Sequence, residues 1–115
     1  MLVVKYLWGD EVSLFKNVTV VKKANVYFDG GVVSRTIQFE DDSTKTLGFM
    51  MPGTYNFDTK TAELMEILAG RLEVLLPETK SWLEVKEGES FNVPANVNFQ
   101  VKVIEATDYC CSFIN

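Results

Sequence analysis

The residues with the clearest chemical potential lie between Gly53 and Phe99. This stretch holds closely spaced aromatic, hydroxyl and carboxylate side chains, followed by a later aromatic residue: Tyr55, Phe57, Thr59, Glu63 and Phe99. Aromatic faces can stack on planar ligand groups, and a carboxylate can bind hydroxyls or exchange a proton. The chain contains no histidine, which argues against a metal site of the usual imidazole type.

The composition indicates one folded domain with an acidic surface. A length of 115 residues suits a single domain, and an apolar fraction of 47%, with 12% aromatic residues, is enough for a packed core. The formal net charge of −5 argues against nucleic acids and anionic membranes as partners, because phosphate groups are bound by clustered Lys and Arg. We therefore expect no nucleic-acid partner and no membrane partner.

The cysteines and the apolar runs bear on the compartment. Cys110 and Cys111 are neighbours without a CxxC pattern, which favours two free thiols in a reducing compartment. No apolar run approaches the length of about 18 residues that a membrane span requires. The N-terminal residues also lack the basic, apolar and small-residue regions of a signal peptide. These features together predict a cytoplasmic protein.

Short apolar runs bounded by turn residues predict an all-β chain. Asp29–Gly31 is a turn signal, and residues 36–40 and 97–103 alternate apolar and polar side chains as half-buried strands do. Roughly nine to eleven short strands at regular spacing are typical of a sandwich or barrel. Residues 1–24 hold only β-rich fragments, so we expect an N-terminal extension there, as extra strands or as an arm on a partner chain. Residues 25–115 form the predicted domain.

Two glycine-marked segments have the spacing of the two cupin motifs. Gly88 and Pro94 are separated by five residues, as in the second motif, and Glu63 precedes Gly70 by the spacing that ends the first motif. Metal-binding cupins carry three histidines at positions that, in this chain, hold Phe57, Thr59 and Phe99. The sequence therefore resembles a single-domain cupin-type β-barrel (a double-stranded β-helix or jelly roll). The resemblance implies that an aromatic-lined pocket replaces the metal site.

The segment over residues 61–76 is ambiguous on its residues alone. Its leucines fit a helical stripe, and its Ala, Glu, Leu and Met favour a helix. Its second half instead alternates apolar and polar residues into Pro77, as a strand does. The cupin spacing favours strands: it predicts a strand over 63–69, a hairpin turn at Gly70 and a return strand over 71–76.

Longer motifs between Asn25 and Ile114 narrow the resemblance further. These motifs are Val26–Gly31, Leu47–Gly53, Tyr55–Phe57, Glu63–Gly70, the Leu-Glu-Val-Leu-Leu-Pro run that ends at Pro77, Trp82, and Gly88–Pro94 with Phe99. They resemble the pyrimidine/purine nucleoside phosphorylases, a family of small cupins. The resemblance implies a pentosyltransferase (a glycosyltransferase) that converts purine and pyrimidine nucleosides and inorganic phosphate to free base and ribose 1-phosphate. It also implies no metal and no cofactor beyond phosphate as co-substrate, and a homodimer paired through sheet edges.

This reaction defines what the site must supply. The transition state resembles an oxocarbenium ion, so phosphate must be held near C1′ and the ribose charge must be stabilised. Glu63 is the first candidate for catalysis, because its cupin position points into the barrel; the alternative is a structural carboxylate. Tyr55, Phe57 and Phe99 are candidates for stacking on the base, or else ordinary core residues. Thr59 is a candidate for binding a ribose hydroxyl or a phosphate oxygen.

Phosphate would need cations, hydroxyls or backbone N–H groups. A polar loop over residues 42–46 and two arginines on flanking strands could supply them, although a solvated hairpin explains the loop equally well. The candidates are Arg35, Ser43, Thr44, Lys45 and Arg71.

A second reading is a non-catalytic cupin that binds a nucleoside or sugar-phosphate ligand. It requires the same pocket without productive placement of phosphate. The sequence leaves open the preferred nucleoside and the identity of the proton donor.

Overall fold

The computed structural model describes the backbone of residues 2–4 and all of residues 14–114. Within these residues the chain forms ten β-strands and one 3₁₀ turn at Phe28–Gly30. The strands are β1 (Leu2–Val4), β2 (Thr19–Val20), β3 (Asn25–Tyr27), β4 (Val32–Gln38), β5 (Thr44–Met50), β6 (Gly53–Asp58), β7 (Ala62–Leu75), β8 (Leu83–Lys86), β9 (Glu89–Val93) and β10 (Asn98–Ile114). The predicted all-β class is confirmed. No helix in the described residues has the length and hydropathy to cross a membrane.

All ten strands belong to one antiparallel sheet. Its main path runs β1-β9-β7-β10-β5-β4-β2, while β3 pairs with β4, β6 with β10 and β8 with β7. The two described strands of the predicted N-terminal extension pair with this same sheet, β1 on β9 and β2 on β4. Residues 5–13 lie outside the described residues, so the boundary near residue 24 stays a prediction.

The hairpin expected at Gly70 is wrong. β7 continues through Gly70 and pairs with β10 on both sides of it, and the register shifts opposite this point. Gly70 has φ +91°, and a Cβ there would collide with the Ala106 carbonyl oxygen. Glycine at such a bulge bends a strand without ending it, so both strands bend together and each serves two parts of the sheet.

The sheet register aligns the side chains that build the site. Apolar residues of β7, β9 and β10 form the centre of the core, including Ile67, Phe91 and Val101, which are fully buried. On the same inner face, Ser34 of β4 lies opposite Gly48 of β5, which in turn lies opposite a residue of β10. The inner faces of β4, β5, β7 and β10 therefore bring polar groups from distant parts of the chain to one wall.

Candidate active site

A cavity of about 330 Å³ opens beside the core, on the inner face of the sheet. This volume lies within the range of roughly 300–1,000 Å³ that is usual for small-molecule sites. Residues of β3 to β7, of β10 and of the 3₁₀ turn line it: Tyr27, Phe28, Val32, Ser34, Thr46, Met50, Asn56, Phe57, Asp58, Glu63, Met65, Phe99, Tyr109, Cys111 and Phe113. One side of the cavity is aromatic, and other lining residues carry two carboxylates, a thiol and hydroxyls.

Three phenylalanines form the aromatic wall. Phe57 of β6 lies directly opposite Phe99 of β10 in the sheet register, and their rings are stacked with centroids 5.5 Å apart and an interplanar angle of 28°. Phe28 meets Phe57 edge-on, also at 5.5 Å. Phe28 is 48% exposed, whereas Phe99 is 3% exposed, so the wall runs from the cavity mouth to its interior. Two of the three residues that stand at the histidine positions of metal-binding cupins therefore face this cavity.

Tyr55 supports this wall from behind and does not line the cavity. Its ring packs 5.0 Å from that of Phe28, and its hydroxyl donates a hydrogen bond to the Met51 carbonyl at 2.7 Å. A Cβ on Gly31 would lie 2.8 Å from the Tyr55 hydroxyl oxygen, so the glycine makes room for the phenol. The expectation that Tyr55 contacts the substrate is not met by its position.

Glu63 lies at the start of β7 with its side chain in the cavity wall. Burial raises the pKa of its carboxyl group, and a hydrogen bond from the Cys111 thiol acts in the opposite direction. Burial and the neighbouring Glu63 also raise the pKa of Cys111, which keeps that thiol protonated as a donor, and Thr46 hydrogen-bonds the same sulfur. Thr46, Cys111 and Glu63 therefore lie close together in the cavity wall, with the thiol beside the carboxylate.

A second hydrogen-bonded chain was missed by sequence reasoning. Asn25 Nδ2 donates to Ser34 Oγ at 3.2 Å and to Thr36 Oγ1 at 3.3 Å, and the Tyr109 ring lies across Gly48 beside Ser34. Burial raises the pKa of Tyr109, so its phenol stays neutral. The alternation of Tyr109 with Cys111 in β10 was visible in the sequence, but their place beside Glu63 depends on strand pairing that spans about half the chain.

The five residues expected to bind phosphate do not line the cavity. The Arg71 guanidinium pairs with the carboxylates of Glu84 and Glu105 at 3.1 and 3.3 Å. Arg35 is exposed, and its Nε donates to the Lys22 carbonyl oxygen at 3.5 Å. The Lys45 amino group lies over two aromatic rings, 5.5 and 5.6 Å from their centroids. Carboxylates engage Arg71, aromatic rings engage Lys45 and a backbone carbonyl engages Arg35, and residue spacing alone does not reveal these contacts.

The hydroxyl residues of the polar loop are also absent from the cavity wall. Ser43 Oγ donates to the Asp41 carboxylate at 2.6 Å within the turn, and Thr44 begins β5 opposite Gln38. Among the lining residues that the structure describes, none is Lys or Arg. Two carboxylates, those of Glu63 and Asp58, are present there.

Thr59 has a structural position. Its hydroxyl donates to the Pro94 carbonyl at 2.7 Å and accepts the Val97 N–H at 3.1 Å. It is 6% exposed and is absent from the cavity wall. The hydroxyl therefore ties the end of β6 to the turn before β10, and its expected role in binding substrate is not supported.

Thr59→Val should lower stability without changing catalysis. Valine keeps the shape but leaves two partly buried backbone groups without their partner, so we expect the free energy of unfolding to fall by about 1–3 kcal/mol. Urea unfolding measures this change, and Thr54→Val at an exposed position of β6 is the matched control. A loss of turnover per folded molecule in Thr59→Val would instead place the hydroxyl at the substrate.

Over residues 2–4 and 14–114 no group of three or more His, Cys, Asp or Glu side chains is arranged to hold a metal ion. Cys110 and Cys111 are both buried free thiols.

Comparison with known proteins places this site in a family. The family description "Pyrimidine/purine nucleoside phosphorylase" matches residues 22–113. A protein of that name from Geotalea uraniireducens is 62% identical over 103 residues, which cover 90% of this chain and 99% of the relative. A crystal structure from Acinetobacter sp. ADP1, titled as a protein of unknown function (DUF1255), has a TM-score of 0.85 and 39% identity, and the match covers 89% of this chain and 99% of that one.

A more distant structure bears on the fold alone. A cupin superfamily protein from Desulfitobacterium hafniense has a TM-score of 0.60 at 14% identity, with 73% of this chain and 78% of that chain covered. The fold is thus cupin-like, as the motif spacing indicated. The family resemblance seen in the motifs is confirmed as well, and the chain belongs to the pyrimidine/purine nucleoside phosphorylase family.

Proposed function

We propose that this chain is a nucleoside phosphorylase, a pentosyltransferase that moves the ribosyl group of purine and pyrimidine nucleosides onto inorganic phosphate. The carrying observation is a cavity in which an aromatic wall and a buried carboxylate, Glu63, are combined in a member of this family. Two relatives bear the name of this activity, and their matches cover 90% and 89% of this chain. No cofactor other than the phosphate co-substrate belongs to the proposal.

The cavity suggests how the substrate lies. The base stacks on Phe57 and Phe99, whose π-faces accept purines and pyrimidines alike, which supports broad specificity. The ribose then lies toward Glu63, where a carboxylate can bind its hydroxyls. A phosphate oxygen attacks C1′ and forms a C1′–O bond while the C1′–N bond breaks. The base leaves with the bonding electrons and takes up a proton.

Glu63 acts on the charge of the transition state. Positive charge develops on the ribose as the base departs, and a carboxylate held close to it in a water-poor cavity stabilises that charge. The thiol of Cys111 holds the carboxylate in place by donating a hydrogen bond. The same burial that makes the carboxylate effective raises its pKa.

The proposal extends to the closure of the sheet, the oligomeric state and the cellular compartment. We propose that the sheet closes into a cupin-type barrel around the cavity. The bent sheet and the similarity to a cupin structure support this closure. The proposed enzyme is a cytoplasmic homodimer. Exposed strand edges would favour such pairing.

Release of free base from uridine, adenosine and inosine tests this function. We expect release that requires added phosphate and continues with a chelator present, because the proposed site uses no metal. Arg71→Gln should release base at the unchanged rate, since its guanidinium is engaged by two surface carboxylates. Phosphate-independent release, or loss of release on chelation, would contradict the proposal.

One observation favours a second function, ligand binding without turnover. The described cavity wall contains no cation for phosphate. If the folded protein binds a nucleoside with a measurable Kd yet releases no base, the binding function replaces the enzymatic one.

A further inference from the structure

The Tyr109 ring is laid across Gly48. Tyr109 of β10 lies opposite Gly48 of β5, and Gly48 lies opposite Ser34 of β4. A Cβ on Gly48 would be 2.5 Å from Tyr109 Cζ and 2.6 Å from its hydroxyl oxygen. Only glycine leaves this space, so the phenol crosses one whole strand and reaches Ser34 on the next.

The hydrogen-bond donors in this row have a fixed order. The Asn25 amide nitrogen can only donate, and it donates to Ser34 Oγ. The Ser34 proton is then free for the Tyr109 oxygen, which lies across Gly48 beside Ser34. The Tyr109 proton is left without a partner in this row, and the residue lines the cavity. This order of donors therefore leaves the Tyr109 proton available to a ligand in the cavity.

A donor of this kind suits phosphate better than ribose. Phosphate oxygens accept hydrogen bonds, and the lining contributed by described residues contains carboxylates but no Lys or Arg. The Thr46 hydroxyl is already engaged with the Cys111 sulfur. Ribose hydroxyls, in contrast, can donate to Glu63. The surrounding side chains thus orient the Tyr109 hydroxyl as a hydrogen-bond donor in this wall.

We propose that the Tyr109 hydroxyl binds the phosphate co-substrate by donating a hydrogen bond to one of its oxygens, and that Asn25, Ser34 and Gly48 position that hydroxyl. This assignment rests on the proposed phosphorylase function. It makes Tyr109 a residue that touches substrate and makes the other three positioning residues.

Tyr109→Phe tests the contact directly. We expect the KM for phosphate to rise about tenfold to a hundredfold, as the loss of a hydrogen bond to a charged group predicts, while the KM for uridine stays within about twofold. Thr54→Val, which removes a hydroxyl at an exposed position outside the cavity, should leave both constants unchanged. An unchanged phosphate KM in Tyr109→Phe, or an equal rise in both constants, would overturn the assignment.

Asn25→Asp tests the positioning chain. An ionised Asp accepts from Ser34, so Ser34 would accept from Tyr109 and draw its proton away from the cavity. The phosphate KM should rise about as much as in Tyr109→Phe, by tenfold or more. In the double variant that combines Asn25→Asp with Tyr109→Phe, the KM should not rise further. If the added charge only repelled phosphate, it would still raise the KM in the double variant. Asn92→Asp, an exposed position outside the cavity, controls for the added charge. Additive effects in the double variant would refute the chain.

The two proposals can fail separately. If the unaltered protein releases no base from any nucleoside, the phosphorylase function fails. Calorimetric titration with inorganic phosphate, comparing unaltered protein with Tyr109→Phe, still tests the contact in that case. If the unaltered protein is an active phosphorylase and Tyr109→Phe keeps its phosphate KM, only the further inference fails.

Discussion

Glu63→Gln should lower kcat for nucleoside cleavage by about 10²–10³-fold, the size expected when one electrostatic contact to the transition state is removed. Glutamine preserves the shape and can still bind a ribose hydroxyl, so the KM for the nucleoside should change little. Steady-state kinetics with uridine and adenosine measure both constants. Glu66→Gln is the matched control, because Glu66 lies on the same strand but outside the cavity wall.

The same substitution should not cost stability at neutral pH. Because burial raises the pKa of Glu63, the folded protein holds this proton at pH values where the unfolded chain has lost it. Stability therefore falls as pH rises from the ordinary glutamate pKa of 4.5 through the raised folded value. Glutamine carries no charge and removes this loss. Urea unfolding across this pH range should show a smaller decline for Glu63→Gln than for the unaltered protein.

Two results would contradict this account of Glu63. One is a kcat within about threefold of the unaltered enzyme, far below the expected electrostatic effect. The other is a large loss of stability at neutral pH, which would show that the carboxylate is a structural group. Equal losses of kcat in Glu63→Gln and Glu66→Gln would indicate a general effect of altering β7.

Gly70→Ala should destabilise the fold by about 2–5 kcal/mol, from a left-handed residue plus an overpacked contact. Gly70 has φ +91°, and an added Cβ would meet the Ala106 carbonyl oxygen and lie 2.8 Å from Thr107 Cα. Both contacts are with the backbone of β10, so neither can be relieved by a side-chain rotation. The loss is measured by urea unfolding.

Gly30→Ala separates backbone strain from the collision. Gly30 has a similar φ of +93°, but a Cβ there would meet nothing within 4 Å. It should therefore cost only about 1–2 kcal/mol, the price of the left-handed conformation. Equal losses in the two variants would mean that the collision at β10 is absorbed without cost.

Two rings of the aromatic wall, Phe57 and Phe99, and the carboxylate could be placed from local spacing, whereas Phe28 was not predicted. Phe57 and Glu63 stand at fixed distances from glycines that mark the cupin motifs, and strand alternation then directs their side chains inward. The hairpin at Gly70 could not be excluded in this way. A glycine with positive φ serves a turn or a bulge equally well, and only the partner strand decides which.

The polar part of the site could not be predicted from spacing. Ser34, Gly48 and Tyr109 become neighbours through pairing of β4, β5 and β10, and no local pattern specifies that row. The prediction that Lys45 and Arg71 bind phosphate failed for a different reason. Their side chains have suitable chemistry, but nearby aromatic rings and carboxylates engage them. The Thr59 hydroxyl is likewise engaged by a hydrogen bond to a turn that lies far along the chain.

The fate of phosphate distinguishes a phosphorylase from a hydrolase and from a binding protein. We would follow uridine and inorganic phosphate by ³¹P NMR with the unaltered protein and with Glu63→Gln. The account predicts a ribose 1-phosphate signal that grows in step with free uracil, and almost none over the same time with Glu63→Gln. Free uracil without a new phosphate ester would mean hydrolysis, and an equal ester signal from both proteins would remove Glu63 from the reaction.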